Sequence, residues 1–278
     1  MREEGCTVRQ WILLRGLARE TAHWGDFAAR LAHALPQDRV LALDLPGHGE
    51  WHHQASPASV PAMAQACRAA LAARGVAPPY HVLAMSLGAM VATQWALEAP
   101  AEVAACVLVN TSLRPFSPFY QRLRPRNYGT ALRLLLAGGS AEAVERTVLR
   151  MTSRRTDDGV DDVVRQWAAV RTQRPVSAGN TLRQLLAAVR YRAPASAPVP
   201  RMLLLASRQD GLVDCACSHA IAAAWGVPLV LHPWAGHDLP LDDPAWVVEQ
   251  VAAWMRCAGG GPRPTAGPWA SGTRAKAA

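Results

Sequence analysis

A serine hydroxyl becomes an effective nucleophile when an imidazole takes its proton and a carboxylate holds that imidazole in the right tautomer. Ser86, His237 and Asp210 are the residues of this chain spaced to form such a set. Ser86 lies in Ala84-Met85-Ser86-Leu87-Gly88, where an apolar run from His81 gives way abruptly to a helical pattern. A nucleophile on so tight a turn needs small residues two positions to either side, and Ala84 and Gly88 are small. A helix beginning at Leu87 would aim its free amides and positive dipole end at an oxyanion formed beside Ser86. Taken alone, the five residues could equally be a helix N-cap after a strand. The order along the chain adds weight: Asp210 comes four residues after the apolar run Met202 to Ala206, and His237 five residues after Leu229 to His232. Serine, acid, histidine is the order in which a nucleophile on a strand-to-helix turn finds its partners.

The elements that must position these groups are short runs rich in Val, Ile and Leu, alternating with amphipathic segments as parallel strands alternate with covering helices. Strands are predicted at Val8 to Leu14, Val40 to Leu43, His81 to Ala84, Val103 to Val109, Met202 to Ala206 and Leu229 to His232. Helices are predicted near Trp24 to Leu35, Val60 to Arg74, Leu87 to Glu98, Cys215 to Trp225 and Pro244 to Arg256. The fold class is therefore α/β, a doubly wound, mostly parallel sheet of about six strands. The rhythm breaks after Val109 and resumes at Met202; helical patterns at Gly129 to Ala137, Ala141 to Met151, Asp161 to Arg171 and Thr181 to Arg190 fill the gap. A structureless loop of that length is improbable inside a compact domain, so an inserted helical cap is expected. The predicted division is a core of residues 1–111 and 196–257, a cap of 112–195 and a flexible Gly/Pro/Ala-rich tail of 258–278. Ser86, Asp210 and His237 then all sit where loops leave the carboxyl ends of strands, the edge at which open α/β sheets gather their sites.

Composition narrows the classes. Half of the 278 residues are apolar and 18% are charged, which fits one folded domain with an insertion. No apolar run reaches the roughly 20 residues of a spanning helix, and MREEGCTVRQ carries acids where a secretion signal carries its apolar stretch. A cytoplasmic location without membrane association is expected. Cys6, Cys67, Cys106, Cys215, Cys217 and Cys257 show no metal or redox spacing. The formal charge of +8 is concentrated between residues 112 and 195, which hold 15 Arg against 6 acids, so a general nucleic-acid surface is not expected. Of the 29 basic residues only Lys276 is lysine, a bias that genome composition produces more readily than guanidinium chemistry.

With these residues in view, the chain resembles the α/β-hydrolase superfamily, specifically its small cap-bearing, esterase-like serine hydrolases. LLRGLARETAHW, LALDLPGHGE, LAMSLGAM, LLLASRQDGLVD and PWAGHDLPLDDPAWV carry the resemblance, which runs from about Val8 to Met255. It implies that the backbone amide of Leu17 joins that of Leu87 as an oxyanion hole, with Arg15 and Gly16 in the supporting loop. Asp44, Pro46, Gly47 and Gly49 match the family's Asp-x-Pro-Gly-x-Gly stretch. Arg15 departs from the pattern, standing where the family usually has His; its cation could brace the loop or meet an anionic group. Asp214 and Asp238 compete with Asp210 for the acid role, and the acid position that some relatives use after the preceding strand is Asn110, which carries no charge.

The resemblance implies two-step acyl transfer on a small-molecule ester or thioester, with no cofactor and no metal. The arginine surplus of the cap raises an acidic carrier protein as a candidate partner. Two other readings remain: a hydrolase-fold protein that binds a small ligand with little or no turnover, and a metal-dependent hydrolase built on His48, His52 and His53.

Overall fold

The computed structural model describes residues 8–136 and 139–257; the expected tail, 258–278, lies outside them. Six strands form one parallel sheet: β1 (Gln10–Leu14), β2 (Arg39–Leu43), β3 (Tyr80–Met85), β4 (Val103–Val109), β5 (Met202–Ser207) and β6 (Leu229–His232), in the order β2-β1-β3-β4-β5-β6. Side chains alternate faces along a strand, and both faces are covered. Ile12, Leu14, Val82, Ala84, Cys106, Leu108, Met202 and Leu204 point to one side, under α2 (Val60–Ala73) and α3 (Leu87–Glu98). Trp11, Leu13, Leu83, Met85, Val107, Val109, Leu203 and Leu205 point to the other, under α1 (Phe27–Ala34) and the chain's last described helix (Pro244–Cys257). This double coverage explains why the strands read as continuous apolar runs instead of an in-out alternation.

Between β4 and β5 the chain builds the helical cap: α4 (Phe119–Arg122), α5 (Tyr128–Leu136), α6 (Ala141–Thr152), α7 (Val160–Gln173) and α8 (Ala178–Arg190). Ser140 and Ser177 open α6 and α8 by accepting hydrogen bonds from the amides of Ala143 and Asn180, satisfying donors that a helix start leaves free. Leu149 of α6 packs with Val164 and Trp167 of α7 in a small core of the cap's own. After β5 come α9 (Ala216–Trp225), β6, the short α10 (Leu239–Asp242) and α11, the Pro244–Cys257 helix.

One predicted element divides. The helix expected from Trp24 to Leu35 is a 3-10 turn, Thr21–Trp24, followed by α1 from Phe27. Gly25 between them has φ +53°, a left-handed conformation that ends the first turn at no steric cost. Among the described residues no helix is long and apolar enough to cross a membrane.

Candidate active site

Ser86 occupies the corner between β3 and α3 with φ +54° and ψ −115°. A non-glycine residue in this region costs about 1 to 3 kcal/mol and persists only where its surroundings enforce it. Here its amide donates to the Val109 carbonyl at 3.0 Å, and its carbonyl accepts from Thr111 Oγ1 at 3.0 Å. The neighbouring glycine is sterically required: a Cβ on Gly88 would stand 2.5 Å from the Arg15 carbonyl oxygen and 2.7 Å from that of Leu14. Backbone contact of that closeness also explains the small residues around Ser86. On the other side, a Cβ on Gly16 would lie 3.1 Å from Ser86 Cβ, so the loop after β1 rests directly against the serine.

The imidazole and carboxylate expected from the sequence are joined. His237 Nδ1 and Asp210 Oδ2 are 2.7 Å apart, and both side chains are buried. A carboxylate only accepts, so the Nδ1 proton points to Asp210, and in the neutral imidazole the lone pair is on Nε2. Asp210 is itself fixed, its Oδ1 accepting from the amides of Leu212 at 2.7 Å and Val213 at 2.9 Å. The competing acids lie elsewhere. Asp214 accepts from the amide of Ala216 at the start of α9 and pairs with Arg124, while Asp238 pairs with Arg15. Among the described residues no hydrogen bond joins Ser86 Oγ to His237. The two residues meet the same connector instead: Val109 and Thr111 hold the backbone of Ser86, and Asn110 between them donates from Nδ2 to the carbonyls of Gly236 at 3.1 Å and His237 at 2.8 Å. Asn110 Oδ1 also accepts from the Ser207 amide at 2.8 Å, tying β5 into the same junction.

Leu87 directly follows Ser86, and Leu17 follows Gly16, the residue that rests against the serine; among the described residues neither amide has a hydrogen-bond partner. The loop carrying Leu17 is heavily braced. Arg15 makes a buried bidentate ion pair with Asp238, at 3.0 and 2.6 Å, and its guanidinium lies 4.9 Å from the centre of the Trp24 ring. From the cap, Gln184 Oε1 accepts from the Ala18 amide at 3.2 Å, and Glu145 receives Arg19 at 2.6 Å and Arg171 at 2.5 Å. Arg174 pairs with Glu20. Asp44 accepts from the Thr21 and Glu50 amides. Asn180 of α8 bonds to the carbonyls of Gly47 and Gln54 and to the Ser56 amide.

Burial sets the charge state of two histidines beside this loop. Loss of water holds His48 down at about 4, and drives His23 well below its ordinary range, with Arg19 and Arg15 adding to the effect on His23. The three histidines considered for a metal have separate engagements: His48 Nδ1 meets the Arg19 carbonyl, His52 Nδ1 meets the Gly49 carbonyl, and His53 lies against the His52 ring. The buried thiols of Cys67 and Cys106 are pushed up to about 12, which leaves them inert small hydrophobes.

A carboxylate that sequence reasoning passed over, Asp242, joins the histidine loop to the cap. It accepts from the Gly236 amide at 2.6 Å, the Arg154 amide at 2.9 Å and Ser153 Oγ. Cap and loop touch closely here: a Cβ on Gly236 would come within 2.6 Å of the Thr152 carbonyl, and the Asp238 amide donates to that same carbonyl at 2.7 Å. The only local signal for it was an Asp-Asp-Pro helix start, which reads equally well as a cap.

Comparison with known proteins agrees with this architecture. Residues 12–250 match the model of the alpha/beta hydrolase family. A Klebsiella pneumoniae protein named as a carbamate hydrolase, RutD, is 29% identical over 250 residues, covering 84% of this chain and 85% of its own. Among solved structures, a thermophilic esterase from Thermogutta terrifontis superposes with a TM-score of 0.71 at 19% identity, over 90% of both chains. The esterase RhEst1 from Rhodococcus gives 0.69 at 18% identity, again over 90% of both. At such identities the likeness to the solved structures is one of fold.

Proposed function

Because this chain belongs to the alpha/beta hydrolase family, we propose that it is a serine hydrolase cleaving a carboxylic ester or thioester through an acyl-enzyme on Ser86. The observation that carries the proposal is the buried 2.7 Å contact of His237 Nδ1 with Asp210, at the sheet edge where Ser86 is held in its strained turn. In this mechanism His237 Nε2 takes the Ser86 proton as Oγ adds to the carbonyl carbon. The amides of Leu17 and Leu87 receive the developing oxyanion; one such donor is worth about 2.7 to 4 kcal/mol of barrier. Protonated His237, stabilised by Asp210, gives its proton to the leaving alkoxide or thiolate. Water then enters, loses a proton to the same nitrogen and releases the acid. The absent Ser86–His237 hydrogen bond does not oppose this, since rotation about one Ser86 bond moves Oγ, and such contacts tighten when substrate arrives.

A second substrate reading rests on the Klebsiella relative: a carbamate presents the same carbonyl to the same nucleophile. Both readings are tested together. A fluorophosphonate should label the wild-type chain once and leave Ser86→Ala unlabelled by intact mass. Turnover of p-nitrophenyl esters, acyl thioesters and aryl carbamates of graded length then ranks the substrate classes. Absence of labelling and of turnover on all three would leave a ligand-binding protein with a hydrolase frame.

A further inference from the structure

The cap holds a cavity of about 370 Å³ whose wall contains Arg126, Arg133, Arg150 and Arg154 and no carboxylate. Elsewhere on the cap, several arginines are neutralised within the fold, Arg146 by Glu142 and Asp161, Arg155 by Asp157 and Arg165 by Asp162, whereas Arg114 and Arg122 reach only main-chain carbonyls. None of the four cavity arginines has an ion-pair partner among the described residues. Two of them are anchored by main chain. Arg126 donates from Nε and Nη2 to the Gly211 carbonyl, at 3.2 and 3.0 Å, and Arg154 donates from Nε to the Gln209 carbonyl at 3.1 Å. Their guanidiniums converge: the position of a Cβ on Gly211 lies 3.2 Å from Arg126 Nη2 and 3.6 Å from Arg154 Nη2. Converging cations with spare N–H groups repel one another, and among the described residues no carboxylate lines the cavity to offset that cost.

We propose that this cavity is a binding site for a small molecule bearing a phosphate or diphosphate, its oxygens held by Arg126, Arg154, Arg133 and Arg150. Guanidiniums supply paired N–H donors that match phosphoryl oxygens, and several around one anion neutralise more than one charge. Thr130 adds a hydroxyl donor to the wall. The volume falls in the range of small-molecule sites, roughly 300 to 1,000 Å³. Neither Ser86 nor His237 lines the cavity, although Gly211 directly follows Asp210. The site is thus distinct from the acyl-transfer centre, and the proposal stands whatever that centre hydrolyses.

Calorimetric titration with inorganic pyrophosphate tests it, on the full chain and on Ser86→Ala. Saturable binding at one site per chain is expected in both, weakening as salt is raised. Replacing the exposed pair Arg133→Ala and Arg150→Ala should weaken binding about tenfold or more, while Arg165→Ala, which removes a cation outside the cavity, should change it less than about twofold. Three results would overturn the proposal: no saturable binding, equal weakening by Arg165→Ala, or tighter binding of a hexaglutamate peptide than of pyrophosphate. The last would assign the arginines to an acidic protein surface instead.

Discussion

Arg15 and Asp238, 223 positions apart in sequence, face each other in a buried bidentate ion pair that fastens the loop bearing Leu17 to the residue directly after His237. Removing one partner of a buried pair leaves the other charged and unsolvated. Arg15→Met should therefore destabilise the fold by about 3 to 5 kcal/mol in urea denaturation, and pairing it with Asp238→Leu should recover part of the loss. A single replacement costing under about 1 kcal/mol would show that the pair is not desolvated.

Asp210→Asn keeps the size of the side chain but reverses the hydrogen-bonding demand on His237 Nδ1. Steady-state hydrolysis should lose about 10⁴ in kcat with a small change in KM, as expected when the imidazole is held in the wrong tautomer. A fall of less than about tenfold would hand the acid role to another group.

Asn110 is expected to act by positioning. Its side chain reaches Ser207, Gly236 and His237, and its φ of +45° is one that Asn tolerates better than most residues. Asn110→Ala should lower kcat and the rate of fluorophosphonate labelling together, by roughly 10- to 100-fold, with KM nearly constant. Asn110→Asp would aim a carboxylate at two carbonyl oxygens and should be less stable than the alanine variant at neutral pH, with the gap closing on acidification. Equal labelling rates in wild type and Asn110→Ala would reduce the residue to a packing role.

Acid sensitivity follows from His48. Its folded value of about 4 lies below the ordinary 6.5, so between these pH values the unfolded chain binds the proton that the folded chain refuses. Stability is intact above pH 6.5 and falls as the pH drops toward 4, by a limit of order 3 kcal/mol from this residue. The drop in Tm between pH 7 and pH 4.5 should be smaller in His48→Gln than in wild type. An unchanged drop would place the acid response in His23, likewise buried with a lowered value, or in His81, held at about 4.

Much of the sheet was legible because buried parallel strands are apolar throughout; Val103–Val109 and Leu229–His232 fall where the pattern predicts, and α3 is buried from Leu87 to Ala96, Thr93 and Gln94 included. Asp210 and His237 could be paired in advance from their distances past two strands. What could not be read were contacts that depend on cap packing. Glu145 looks in sequence like any exposed helix acid, yet it is buried between Arg19 and Arg171. Asn110 drew notice only as a missing carboxylate, since nothing local indicates that its amide spans to Gly236 and His237. Nor could the arginine wall of the cavity at Gly211 be read in advance, since it depends on which faces α5 and α6 turn toward it.

Gln184 reaches down from α8 to the Ala18 amide, and Glu145 and Arg174 grip the next two residues of the same loop. A lid attached in this manner cannot swing away while leaving the floor beneath it undisturbed. Raising it would slacken the segment from Ala18 to Glu20, so the opening of the cap and the shape of that loop are coupled.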